Sequence, residues 1–155
     1  MENNTSINIS SFKAGSERDI SYSNELEISK MCISQKGEKA SVSFNGRLIG
    51  NGGFFELTGR VNASFNAVCS RCLKVIPYNF DFYITERFAN AGENDDPDFL
   101  PITDGSIDIA NAVDMNVFIE MPSNPLCDDD CKGLCSRCGG DLNENGCTCV
   151  PEETE

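Results

Sequence analysis

The chain has 155 residues, nine of them cysteine, with no histidine or tryptophan and a net charge of −13. That length suits one domain, or one domain with a small appendage. Without histidine there is no Cys–His or Ser–His–Asp machinery and no imidazole metal ligand. No run approaches the roughly twenty apolar residues of a membrane span.

Short strands are expected near Ile7–Ile9 and Asp19–Ile28. Further on, Val42, Phe44 and Leu48 alternate with Ser43, Asn45 and Arg47. Gly50-Asn51-Gly52-Gly53 then turns the chain. No helix-forming run follows it, so it is not a phosphate loop. From Phe55 to Cys69 the apolar residues fall on odd numbers (Leu57, Val61, Phe65) and the polar ones on even numbers (Glu56, Arg60, Asn62). Period two describes a strand with one dry and one wet face. A second such run carries Ile76, Tyr78, Phe80, Phe82 and Ile84. Residues 70–75 join the two into an antiparallel hairpin. The reading is an antiparallel meander of at least three strands over residues 40–88, barrel-like in character.

Residues 89–101 break all periodicity and read as an exposed acidic loop. One helix follows. Asp108 caps it, Ile109, Val113, Val117 and Phe118 form its apolar stripe against the sheet, and Pro122 ends it. The fold class is therefore α+β, mainly β. A core domain spans 1–122 and a Cys-rich tail spans 123–155. Residues 127–155 hold almost no apolar side chains beyond their cysteines, so the tail cannot fold by burial alone. Charge follows the same asymmetry. Residues 1–88 carry ten basic and nine acidic side chains, and residues 89–155 carry two and sixteen. So acidic a half does not draw in a phosphate backbone by electrostatics, although it can simply be a soluble surface.

The first thirty residues are polar and show no signal sequence, which points to the cytoplasm, where thiols stay reduced. There, many cysteines read first as metal ligands. Cys69-Ser70-Arg71-Cys72 sits on the hairpin turn, where both sulfurs can aim at one point. A redox CxxC normally opens a helix, and here a strand follows. The tail holds Cys127, Cys131, Cys135, Cys138, Cys147 and Cys149. The arithmetic suggests 135/138 with 147/149 as one four-thiolate site, and 69/72 with 127/131 as a second. A single ion with the other pairs free is the alternative. Zinc suits four soft thiolates, and the spacings match neither common ferredoxin run. Cys32 is left over as a small buried hydrophobe.

Val68-Cys69-Ser70-Arg71-Cys72-Leu73-Lys74 resembles the motif of the YceD family of large ribosomal RNA subunit accumulation proteins. The stretch from Pro125-Leu126-Cys127 through Gly133-Leu134-Cys135-Ser136-Arg137-Cys138-Gly139-Gly140 to Cys147-Thr148-Cys149 resembles the Cys-rich ending of its Gram-positive-type members. Ile107-Asp108-Ile109 also fits. The resemblance covers most of residues 40–149. It implies a non-catalytic role in accumulation of large-subunit ribosomal RNA, with a large-subunit precursor, its rRNA, or a basic ribosomal protein or assembly factor as partner. It implies no small-molecule substrate and no membrane. Arg47, Arg60, Arg71 and Lys74, with Tyr83, are the candidate contacts for RNA or a partner, set against an ordinary solvated strand face. A zinc-thiol redox sensor or redox-regulated chaperone is the alternative function, since the paired thiols could be oxidised with loss of metal. With no nucleophile–base pair, a hydrolase or transferase is disfavoured. Asp128-Asp129-Asp130 reads as a solvated charge run.

Overall fold

The structure, a computed structural model, describes residues 5–28, 38–93 and 96–149. Cys32 lies outside them. Among the described residues seven strands and one helix follow in the order β1 (Ser6–Asn8), β2 (Glu17–Glu27), β3 (Lys39–Gly50), β4 (Phe55–Val68), β5 (Val75–Asn90), β6 (Phe99–Ile102), β7 (Ser106–Asp108) and α1 (Ile109–Glu120). Strands β2 to β6 form one sheet in sequence order, and β1 pairs with β7 in a second, two-stranded one.

The alternation of β4 sets the faces. Its residues Leu57, Val61, Ala63 and Phe65 turn inward beside Phe44 and Leu48 of β3 and Ile84 and Phe88 of β5. Helix α1 lies on this dry face and buries Ile109, Ala112, Val113 and Val117. The other face, with Ser43, Asn62 and Ser64 among its residues, stays wet. The meander and the single helix are as the periodicity predicts, but the sheet does not close into a barrel. The helix covers the dry face instead, so β2 is left as an outer edge.

Two local expectations change. The acidic loop is shorter than 89–101. Strand β5 runs to Asn90, with Phe88 and Ala89 buried, and β6 begins at Phe99 in parallel register with Arg87–Asn90. Its four residues are too few, and too close to acidic neighbours and Pro101, to show a period. In the helix, Phe118 is 43% exposed. Successive residues step about 100° around a helix, which carries Phe118 to the side opposite Ile109. Ala112 takes the inward place. The cap is as expected: Asn111 donates its backbone N–H to Asp108 Oδ1 at 2.9 Å.

Helix and sheet are also joined through Asp114. Tyr22 Oη of β2 donates to its carboxylate at 3.0–3.1 Å, and Asn24 Nδ2 donates at 3.0 Å. Burial raises the Asp114 pKa above the ordinary carboxylate range, against the pull of these donors. A carboxyl with a raised folded-state pKa binds its proton more tightly folded than unfolded. This group therefore favours folding more as pH falls through its folded value. Asp114→Asn, which keeps an acceptor for Tyr22 and loses the titrating group, should steepen the fall in melting temperature at acid pH without lowering stability at neutral pH. Asp114→Ala should destabilise at all pH values by about 1–2 kcal/mol, because the Tyr22 hydroxyl loses its acceptor.

Candidate metal centre

The turn between β4 and β5 is a tight knuckle. Cys69 donates its N–H to Lys74 O at 2.8 Å, and Leu73 donates to Cys69 O at 3.0 Å. Leu73 takes the left-handed conformation, φ 61°. The same four residues, Cys-Ser-Arg-Cys, recur at 135–138. Gly139 N–H donates to Cys135 O at 2.8 Å, and Gly139 has φ 72°. The two knuckles share sequence, turn and hydrogen bonding.

The tail folds back onto the hairpin tip. Ser70 donates its N–H to Pro125 O at 2.8 Å. Arg71 Nη1 donates to Cys131 O at 2.9 Å and Asp129 O at 3.3 Å. These contacts bring Cys69, Cys72, Cys127 and Cys131 into one group. Cys135, Cys138, Cys147 and Cys149 form the other, and in each group the sulfurs all lie within 4.8 Å of one another. Cys69 Sγ is 3.9 Å from Cys131 Sγ, Cys72 Sγ is 3.5 Å from Cys127 Sγ, and Cys138 Sγ is 3.7 Å from Cys147 Sγ. Eight free thiols are thus gathered four and four. The first tetrad takes two sulfurs from the sheet and two from the tail, across the division at 122/123.

The two tetrads differ in surroundings. Cys69, Cys72 and Cys131 are buried and pack with Leu126 and Leu134. In the second, Cys138 is exposed and its companions are half-buried. In both, backbone amides aim at sulfur. The Cys69 thiol is buried, which resists ionisation, yet the N–H groups of Cys72, Arg71 and Cys127 outweigh burial and draw it down to about 6. Cys135 is likewise drawn down to about 6 by the N–H groups of Cys138 and Arg137. The neighbours then resist a second negative charge. Cys131 and Cys72 push Cys127 up to about 12, and Cys138 and Cys147 push Cys149 up to about 12. Such a set of sulfurs gives up its remaining protons when a cation supplies the opposing charge. Four sulfurs in a cluster with amides turned toward them fit a soft divalent metal with no position left over.

A strand-like clasp joins the tetrads. Leu142 donates its N–H to Gly133 O at 3.0 Å. Lys132 N–H donates to Asn143 Oδ1 at 2.8 Å, and Asn143 Nδ2 donates to Cys131 Sγ at 3.4 Å. Gly133 has φ 75° and sits against Arg71 O, which a Cβ would approach to 3.1 Å. Asn143 is not among the site residues that spacing suggests, although the Leu142-Asn143 pair belongs to the stretch that resembles the family. The signal was its place within a loop between two cysteine pairs, which offers no period. Partners in the outer shell of a metal site typically affect affinity by 10–100-fold. Asn143→Ala should weaken metal binding at the first tetrad by about tenfold and leave the second unchanged, as read by competition with a chromophoric chelator.

The candidate RNA contacts do not share one patch. Arg47 pairs with Glu17 at 3.1 Å and Asp19 at 3.3 Å, and Arg60 with Asp81, all on the wet face. Arg60 also lies over the Tyr83 ring, 5.9 Å from its centre. Arg71 and Lys74 are at the hairpin tip, about 30 Å along β4 from Arg60. There Lys74 pairs with Asp141 at 3.0 Å and with Glu144, so that, with Arg71, it ties the tail to the sheet.

An open, mostly antiparallel sheet, one helix on its dry face and two four-thiol cradles, each able to hold a metal ion, define a small, mainly β protein with one helix. The chain belongs to the family described as large ribosomal RNA subunit accumulation protein YceD, which matches residues 57–155 and so takes in both tetrads. It is 31% identical over 88 residues to an uncharacterized protein of Mycobacterium tuberculosis, covering 54% of this chain and 42% of that protein. Over 62 residues it is 36% identical to large ribosomal RNA subunit accumulation protein YCED homolog 1, chloroplastic, of Zea mays, covering 39% of this chain and 21% of that protein. The homolog 1 of Arabidopsis thaliana is 39% identical over 49 residues, which is 32% of this chain and 15% of that protein. The chain thus spans less than half the length of these curated relatives. No solved structure matches it. Among the described residues no helix is long and apolar enough to cross a membrane.

Proposed function

We propose that this chain is a non-catalytic, cytoplasmic factor in large ribosomal subunit biogenesis, with two structural zinc ions, one in each tetrad. The observation that carries the reading is the family match over residues 57–155, which includes every cysteine of both tetrads. The sulfur spacings support zinc. Four thiolates about 2.3 Å from a tetrahedral zinc sit about 3.8 Å apart, and the Cys69–Cys131, Cys72–Cys127 and Cys138–Cys147 sulfur pairs span 3.5–3.9 Å. An iron–sulfur cluster places inorganic sulfide between its irons and holds the cysteine sulfurs further apart. Four protein sulfurs also close the coordination sphere, leaving no open position for water or substrate, which is the pattern of a structural and not a catalytic ion.

Depletion of the protein from its host tests the role. The ratio of large- to small-subunit ribosomal RNA should fall, and re-expression should restore it. An unchanged ratio under full depletion overturns the reading. Metal analysis of the purified chain should return two zinc per chain; another metal, or none, overturns the zinc assignment.

A redox-sensing role is the second reading. The observation favouring it is the exposure of the second tetrad. Mild peroxide would then release one metal from that site first, and a chain that keeps both ions under peroxide removes this reading.

A further inference from the structure

Strand β5 has a free edge. Cys69 N–H bonds to Lys74 O, which fixes the phase of the β4–β5 ladder, so even-numbered residues of β5 exchange hydrogen bonds with β4. The odd-numbered ones, Asn79, Asp81, Tyr83 and Thr85, turn their N–H and C=O groups to the other side. On that side β6 begins only opposite Arg87, and among the described residues no strand pairs with 75–86. Pro77, which has no N–H, falls in the same outward phase.

The two edges of the sheet are built differently. Strand β2 presents Glu17, Arg18, Asp19, Glu25 and Glu27 within eleven residues, the charged kind of edge that discourages pairing. The free stretch of β5 is instead lined on its dry side by half-buried Tyr78, Phe80 and Phe82, the last two rings stacked 5.8 Å apart. Helix α1 lies on the same dry face. Asp114 faces β2, and Asn116 Nδ2 donates to Glu86 Oε1 of β5 at 2.6 Å. Residues on the Asn116 flank therefore look toward β5, and there Met115 and Ile119 are 49% and 72% exposed. Val75, at the start of the free edge, is 46% exposed.

Charge selects the occupant. Residues 75–86 and 108–131 make up the free stretch of β5, the helix and the chain beyond it. They contain eight acidic side chains, among them Glu86, Glu120 and the run Asp128, Asp129 and Asp130, and no lysine or arginine; of the eight, Asp114 faces β2. Asp81 is matched by Arg60 of β4. We propose that this edge and groove form a docking surface for an extended, basic polypeptide segment of another protein. The segment adds a strand to β5, sets apolar side chains against Phe80, Phe82 and Ile119, and meets acid with lysine and arginine. Backbone bonds supply affinity and the flanking pockets supply selectivity. A second copy of this chain carries a net charge of −13, so like charge opposes its approach. Only the cellular setting of this partner rests on the ribosomal reading above, since the test below uses no ribosome.

The test is hydrogen exchange on the full, metal-loaded chain with a peptide of about a dozen residues alternating valine and lysine. Exchange at Asn79, Asp81, Tyr83 and Thr85 should slow by about tenfold. A valine–glutamate peptide should have no effect. Tyr83→Pro removes one outward N–H and should abolish the protection, whereas Tyr83→Thr keeps it. Ile119→Asp, on the exposed flank of the helix, should weaken binding with the metal content unchanged. No slowing, or equal slowing by the acidic peptide, overturns the proposal. So does protection of the same amides by a uridine-rich RNA, or by self-association of the chain alone.

Discussion

Stripping metal from the purified chain should unfold residues 127–149 and leave the five-stranded sheet folded. Within that stretch the buried residues are Cys131 and Gly133, too little apolar burial to offset the roughly 1–2 kcal/mol of backbone entropy lost per ordered residue. A structural zinc contributes about 10–16 kcal/mol of apparent free energy, the scale needed to order a segment of this length. The sheet depends on no metal, because its core runs from Ile20 through Phe44 and Leu57 to Phe88 and Val117, away from the sulfurs. A strong chelator should therefore give fast amide exchange across the tail and at Ser70, whose N–H bonds to Pro125 O. Amides of β3 and β4 should stay protected. Cys135→Ser should open the second tetrad and loosen the end of the tail while the hairpin stays folded. Cys72→Ser should additionally free the hairpin tip, since that tetrad bridges sheet and tail. A cooperative loss of the whole fold on chelation would contradict this division of labour. Acid should act like chelator, because released thiolates take up protons and binding weakens as pH falls.

Much of this was legible in the sequence, for definable reasons. The strands β3 to β5 have one wet and one dry face, so a period of two is written in their side chains. The helix announces itself through Asp108 and an apolar residue every three or four positions. The cysteines declare their pairs by spacing, since two sulfurs two residues apart on a tight turn can reach one ion. Burial of Phe118 and the extent of the acidic loop were misjudged because both depend on what lies opposite. Phe118 sits beside Val117 in sequence but on the far side of the helix. Strand β6 exists because β5 offers it a partner, and four residues beside Pro101 carry no period of their own. The partners of Arg71 and Lys74 within the fold were also not legible. As bare cations they suggest phosphate, but folding brings Asp129 and Cys131 carbonyls to one and Asp141 and Glu144 to the other. The free edge of β5 is a property of strand order alone.

Gly59→Ala should destabilise the sheet by about 3 kcal/mol, whereas Gly53→Ala should change little. Gly59 of β4 pairs directly with Gly46 of β3, and the Phe44 ring lies across the two. A Cβ on Gly59 would stand 2.5 Å from Asn45 O, 2.5 Å from Gly46 Cα and 2.7 Å from Phe44 Cε2. Two of these are backbone atoms, which a rotamer change cannot move. Phe44 is fully buried and has no room to retreat. The strands would have to part at the centre of the sheet, where close packing leaves no slack. Gly46→Ala meets the same obstacle from the other side, with Thr58 O at 2.2 Å. At Gly53 nothing lies within 4 Å of the added carbon, so the substitution there controls for the loss of glycine itself. For a chain of this size about 3 kcal/mol lowers the melting temperature by roughly 6–12 °C, measurable by thermal denaturation followed in the far ultraviolet. Because the collision lies in the sheet and not in the tail, metal content after purification should match the parent chain. A Gly59→Ala protein that melts like the parent would mean that β3 and β4 do not meet in this register.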